Sequence, residues 1–286
     1  METNATIPAP DAPDAGRAPL VVVGVADSEE SDRAIRWGAE HVRRTGGTLR
    51  LVHAFIWPLM NVDVDPVPGV AGSGLRAGAE TLVAHAVELA REAAPGIAIE
   101  TDIVDGRAVD VMLDASKTAD VLAVGNRGLG RMLSLVMGST SLALARRAQC
   151  PIVVVRGDET TAGPVGVAYE STDLGEQAIE RAGRLAAVYD AEVHVVIGVA
   201  TPADEHDEIL EAVRRIIARS TEGARVRLAD TQAVRDARRL VAASEGSRLI
   251  VVPAQTEGMA SASSETRAVV QHANTPVWIE RPLGAI

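Results

Sequence analysis

Apolar and polar positions along this chain follow two rhythms that take turns. Residues 20–25 form an unbroken apolar run of strand length. Residues 28–44 then return an apolar side chain every three or four positions, behind a serine and an acidic first turn, as an amphipathic helix does. The same alternation predicts strands over 48–56, 97–104, 120–125 and 151–156, and helices over 75–94, 107–118 and 139–149. Several of the strand runs are apolar without interruption, which predicts parallel strands covered by helices on both faces.

The order then begins again. Strands are expected over 165–168, 192–199, 225–229, 248–252 and 276–280, with helices over 173–188, 204–220, 232–245 and 265–273. Two local echoes accompany the repeat: Val23-Gly24-Val25-Ala26 with Val165-Gly166-Val167-Ala168, and Cys150-Pro151-Ile152-Val153 with Thr275-Pro276-Val277-Trp278. A repeat of this length predicts two whole domains, over 19–157 and 164–282, joined by a short polar linker. Residues 1–18 have no apolar periodicity and are expected to be a disordered tail. Residues 57–74 read as a long Pro/Gly-rich loop, either a lid or a plain connection.

Composition narrows the picture. Hydrophobic residues make up 47% of 286 and aromatics 2%, so the cores must be aliphatic. The net charge of -11 argues against nucleic acid or an anionic membrane as partner. Cys150, the single cysteine, precludes an intrachain disulfide and reads as a buried, inert thiol. The histidines lack metal-ligand spacing, no apolar stretch reaches membrane-spanning length, and the N-terminus lacks a signal pattern. A soluble, cytoplasmic protein is expected.

Candidate chemistry concentrates after the fourth strand. Gly125-Asn126-Arg127-Gly128 is followed by nine residues and then Gly138-Ser139-Thr140-Ser141 at a helix start. Glycines let backbone approach an anion, and a helix N-terminus offers free N–H groups and a favourable dipole. Arg127 and Arg131 are either phosphate clamps or solvated loop residues. His53 reads as a satisfied strand-end histidine rather than a base, and Asp102 and Asp105 as surface carboxylates. A P-loop, a serine-hydrolase elbow and a dinucleotide fingerprint are all missing from their required places, so an enzyme is the weakest of the readings.

Glycine, two residues, glycine, nine residues, glycine and Ser/Thr, set between a strand and a helix, resembles the universal stress protein family in its tandem two-domain form. The resemblance is full over residues 19–156 and holds in outline over 164–281. It implies two flavodoxin-like (adenine nucleotide alpha hydrolase-like) α/β domains, each a five-stranded parallel sheet of order 3-2-1-4-5. It also implies an adenine nucleotide, ATP or a relative with or without Mg²⁺, in the crevice between strands one and four. Carried over by position, Gly125, Arg127, Gly128, Gly138, Ser139 and Thr140 would hold ribose and phosphates. Ala54 would line the adenine slot, and Gly106 would flank it. The family's strand-one aspartate is replaced by Ala26, with the carboxylate one residue on at Asp27. The second half, with Pro253 to Gly258 where the glycine loop should be, is expected not to bind nucleotide. The implied role is regulatory rather than catalytic and works through an unidentified protein partner; a scaffold that has lost its ligand is the alternative. Pairing through last strands would join domain 1 to domain 2, and a homodimer of whole chains stays open.

Overall fold

The computed structural model describes residues 18–55, 73–126, 139–157, 162–197, 201–229, 239–254, 269 and 272–282. Residues 1–17 of the expected tail, most of the long loop, most of the last helix, and Arg127, Gly128, Arg131 and Gly138 lie outside the described residues.

The first half runs β1 (Leu20–Gly24), α1 (Glu29–Thr45), β2 (Thr48–Phe55), α2 (Ser73–Ala93), β3 (Ala98–Asp105), α3 (Ala108–Ala115), β4 (Val121–Gly125), α4 (Ser139–Arg147) and β5 (Ile152–Val155). The second runs β6 (Val165–Ala168), α5 (Asp173–Tyr189), β7 (Val193–Val196), a 3-10 turn (Ala203–Glu205), α6 (His206–Ala218), β8 (Val226–Leu228), α7 (Arg239–Ser244), β9 (Leu249–Pro253) and β10 (Val277–Glu280). Local chemistry sets the boundaries. Ser28 caps α1 by accepting from the Ser31 N–H at 3.2 Å, and Gly46, at φ 76°, ends it. Helix α3 stops at Ala115, short of the expected residue 118, because the Ser116 hydroxyl bonds back to the Leu113 carbonyl and accepts from the Gln149 N–H.

The strand order is β3-β2-β1-β4-β5-β10-β9-β6-β7-β8 in a single sheet. Within each half every neighbour is parallel; the β5–β10 seam is antiparallel. Each half thus has the order expected of it, and the seam fuses the two into ten strands. The apolar strands β5 and β10 are buried along their whole length, so neither is left as an exposed edge. One core lies under α1, α2, α5 and α6, and a second under α3, α4 and α7, with alternate strand residues feeding each.

The halves match hydrogen bond for hydrogen bond. Val25 donates to the Val52 carbonyl as Tyr169 does to Val196, and Asn126 donates to Val155 as Ala254 does to Glu280. This register equates Ile152 with Val277, as the second echo suggests. The first echo is slipped by two: Val21, not Val23, stands where Val165 stands. A short Val/Gly/Ala string recurs by composition alone, and ladder geometry decides the equivalence.

Candidate functional site

In this strand order β1 leads away toward β2 while β4 leads toward β5, so the chain diverges after their carboxyl ends and opens a crevice. The β1 side is closely tied. The Ser31 hydroxyl accepts from the Ala26 N–H at 2.8 Å and lies 3.5 Å from the Gly24 carbonyl, to which it donates. Ala26 is half-buried and Asp27 exposed. His53 Nδ1 lies 3.0 Å from the Val25 carbonyl. A carbonyl can only accept, so Nδ1 carries the proton, and His53 is a satisfied strand-end residue. Ala54, half-buried, lies opposite Val104, and the Gly106 N–H donates to Phe55 at 2.8 Å.

On the β4 side Gly125 has a steric reason. A Cβ there would sit 2.7 Å from the backbone C and O of Glu30, so the first turn of α1 packs directly on it. The Ser141 hydroxyl donates to the Gly125 carbonyl at 3.1 Å, which pins the start of α4 beside the end of β4. Thr140 is half-buried in that first turn, which Ser139 opens. Asn126 donates its N–H to Val155, while its side-chain Oδ1 is buried with no partner among the described residues.

The two helix N-termini at this end differ in charge. The first turn of α1 carries Glu29, Glu30 and Asp32, which already answer its dipole. The first turn of α4 carries no acidic residue, and a helix N-terminus of that kind favours negative charge. Asp102 and Asp105 sit exposed on β3, and Asp102 pairs with Arg50 at 3.6 Å. Among the described residues no cluster of three or more His, Cys, Asp or Glu could hold a metal ion, and no helix is long and apolar enough to cross a membrane. Cys150 is buried and free, and loss of solvent pushes its thiol up to about 12, as an inert residue requires.

In the second half the matching positions hold other residues. Glu170 stands for Ala26, Gly175 for Ser31, Pro253 for Gly125 and Ala254 for Asn126. The hydroxyl that ties the β1 loop and the carboxamide of Asn126 are both gone.

Sequence reasoning missed the tying roles of Ser31 and Ser141 and the orphaned Asn126 oxygen. Spacing gave no sign of them, because each depends on which strand end lies beside which helix. It also missed a buried polar and aromatic cluster at the seam. There the Arg181 guanidinium grips Glu280 at 3.0 and 3.2 Å and lies 5.2 Å over the Trp278 ring, while Trp278 Nε1 donates to Glu280 at 2.7 Å. The available signal was that a chain with six aromatic residues places one at residue 278, between Val277 and Ile279.

A doubly wound α/β unit with its crevice at the β1/β4 switch point, duplicated and fused through last strands, defines the class. Residues 20–156 match the model of the universal stress protein family. A universal stress protein of Mycolicibacterium smegmatis is 28% identical over 92% of this chain and 97% of its own length. One of Mycobacterium tuberculosis is 29% identical over 91% and 96%. The solved structure of a universal stress protein from Archaeoglobus fulgidus, 18% identical, shares the fold over 93% of this chain and 97% of its own, with a TM-score of 0.70. The first half is a universal stress protein domain, and over nearly its whole length the chain is similar to universal stress proteins of tandem length.

Proposed function

We propose that the β1/β4 crevice of the first half binds an adenine nucleotide, ATP or a close relative, and that the protein is a cytoplasmic regulatory module rather than a turnover enzyme. The observation that carries this reading is the first turn of α4. It has hydroxyl residues, no acidic side chain, and a hydrogen bond from Ser141 that fixes it against Gly125. Phosphates would lie there, among Ser139, Thr140 and the glycine loop of Gly125, Arg127, Gly128 and Gly138. The base would lie by Ala54 and Gly106, and the Asn126 oxygen, without a partner among the described residues, would take a donor such as a ribose hydroxyl. Any Mg²⁺ would be carried by the phosphates. The second half, with Pro253 and Ala254 at the matching strand end, would stay empty, and occupancy of the first half would be read by a partner protein.

Ala26 favours a second reading, a scaffold without ligand, because the β1 loop offers no carboxylate at that position and its N–H is already taken by Ser31. Equilibrium titration with labelled ATP separates the two. Saturable binding that is lost in Gly128→Glu or Ser139→Asp supports the nucleotide site; no saturation at millimolar ATP leaves the scaffold.

A further inference from the structure

The seam between β5 and β10 joins two strands that are structural equivalents, so its central axis is a near two-fold. On that axis Trp278 stands opposite Val153, flanked by Val277 opposite Val154 and Ile279 opposite Ile152. Trp278 and Val153 are each other's equivalents in the repeat, both buried and both facing the same core. The largest side chain of the chain therefore meets a small one at the position where a symmetric pair would meet itself.

The helices above the seam repeat this asymmetry. Helices α1 and α5 are each 17 residues long, and aligning their caps Ser28 and Thr172 sets Trp37 with Arg181, His41 with Leu185 and Thr45 with Tyr189. Across the seam His41 Nδ1 shares a hydrogen bond of 2.7 Å with the Tyr189 hydroxyl, and both groups are buried. Trp37 stacks on His41 at 5.0 Å and meets Trp278 edge-on at 6.4 Å. Arg44 lies 5.5 Å from the Tyr189 ring centre.

We propose that this joint is a lock of size and polarity that admits only the unlike half, so that the last-strand edge is closed to like-half pairing between two copies of the chain. Two first halves joined at β5 would set Val153 against Val153. Each buried His41 would then face Thr45 in place of the Tyr189 hydroxyl. Two second halves joined at β10 would set Trp278 against Trp278, with directly opposed Cβ atoms only about 4.5–5.5 Å apart in a core of crystal-like density. They would also leave two Tyr189 hydroxyls against leucine and bring two Arg181 guanidinia to one axis. Each like pairing fails in volume and in hydrogen bonding at once; the unlike pairing satisfies both.

The covalent link between halves would hide this preference, since it raises their effective concentration whatever the fit. The test therefore starts from the folded full-length chain carrying a protease site between Gly157 and Gly163. It is cleaved after folding, and isotope-labelled and unlabelled preparations are mixed and read by native mass spectrometry. Unlike pairs are expected throughout, with like pairs at least about tenfold below their statistical share, a preference of about 1.4 kcal/mol. Trp278→Val should raise second-half pairs severalfold. Val153→Trp should weaken the unlike pair, and the exchanged double variant V153W/W278V should restore part of what was lost. A statistical mixture in the wild-type protein overturns the proposal, as does a Val153→Trp chain that pairs as tightly as wild type. If Trp278→Val does not fold, the V153W single and the exchanged pair decide alone.

Discussion

At the end of β4 stand Gly125 and Asn126; at the matching end of β9 stand Pro253 and Ala254. At the centre of β5 stands Val153; at the centre of β10 stands Trp278. The two halves keep one backbone plan and place their unusual side chains at opposite addresses. Among the strands, those of the first half lie at the strand ends around a crevice and that of the second half at the seam, where Trp37 and His41 of α1 join it. A duplicated fold can divide its work in this way because each hydrogen-bond ladder needs only backbone, which leaves side chains at equivalent positions free to diverge.

The division makes the two regions separable by mutation. The largest effect is expected from Trp278→Ala, which empties a buried site and should cost about 3–5 kcal/mol of unfolding free energy in denaturant titrations. ATP affinity of the folded variant should stay near wild type. A parallel loss of affinity would show that the seam and the crevice are one system.

Acid should act on the seam next. Burial, and then the nearby Arg181 cation, hold His41 down at about 4 against an ordinary 6.5, so the folded state keeps it neutral while the unfolded chain takes up a proton. Its contribution is intact above pH 6.5 and is lost as pH falls from 6.5 to 4, by about 3 kcal/mol. The groups facing it are Trp37 on its own helix, Tyr189 from α5, held neutral by burial, and Trp278 from β10, with Arg181 contributing charge. Stability measured at several pH values should therefore fall less steeply in His41→Gln. Equal slopes would place the acid sensitivity elsewhere.

Gly125→Ala probes the other region. The added Cβ collides with the Glu30 backbone, so about 1–3 kcal/mol of stability and most nucleotide affinity should go together, because the same glycine seats α1 and borders the crevice. The smallest change is Ser141→Ala. Removing the hydrogen bond to Gly125 should cost about 0.5–1.5 kcal/mol and loosen ATP binding severalfold, read by calorimetry. An unchanged affinity would mean that α4 is held in place without it.

Much of this was legible before any coordinates. Uninterrupted apolar runs such as Val21-Val22-Val23 and Ile152-Val153-Val154-Val155 can only be buried on both faces, so the doubly wound class follows from them. The helix cap Ser28 behaves as its chemistry demands. Glycine-loop spacing assigns Gly125 and Ser139 to an anion; what the structure gives for Gly125 is a steric reason, the close approach of α1, which no spacing rule reveals. The Val-Gly-Val-Ala echo misled by two residues, since strings of small apolar residues recur wherever strands do.

The sequence by itself determined that this chain repeats one α/β plan, and that a glycine-and-hydroxyl loop follows the fourth strand of the first copy. Periodicity and capping are local, and local patterns can be read in one dimension. Only the tertiary structure decided that β5 and β10 share a seam, that Trp278 meets Val153 across it, and that His41 finds Tyr189, 148 positions away. Those contacts depend on two distant segments arriving at one place, and neither segment carries the other's address.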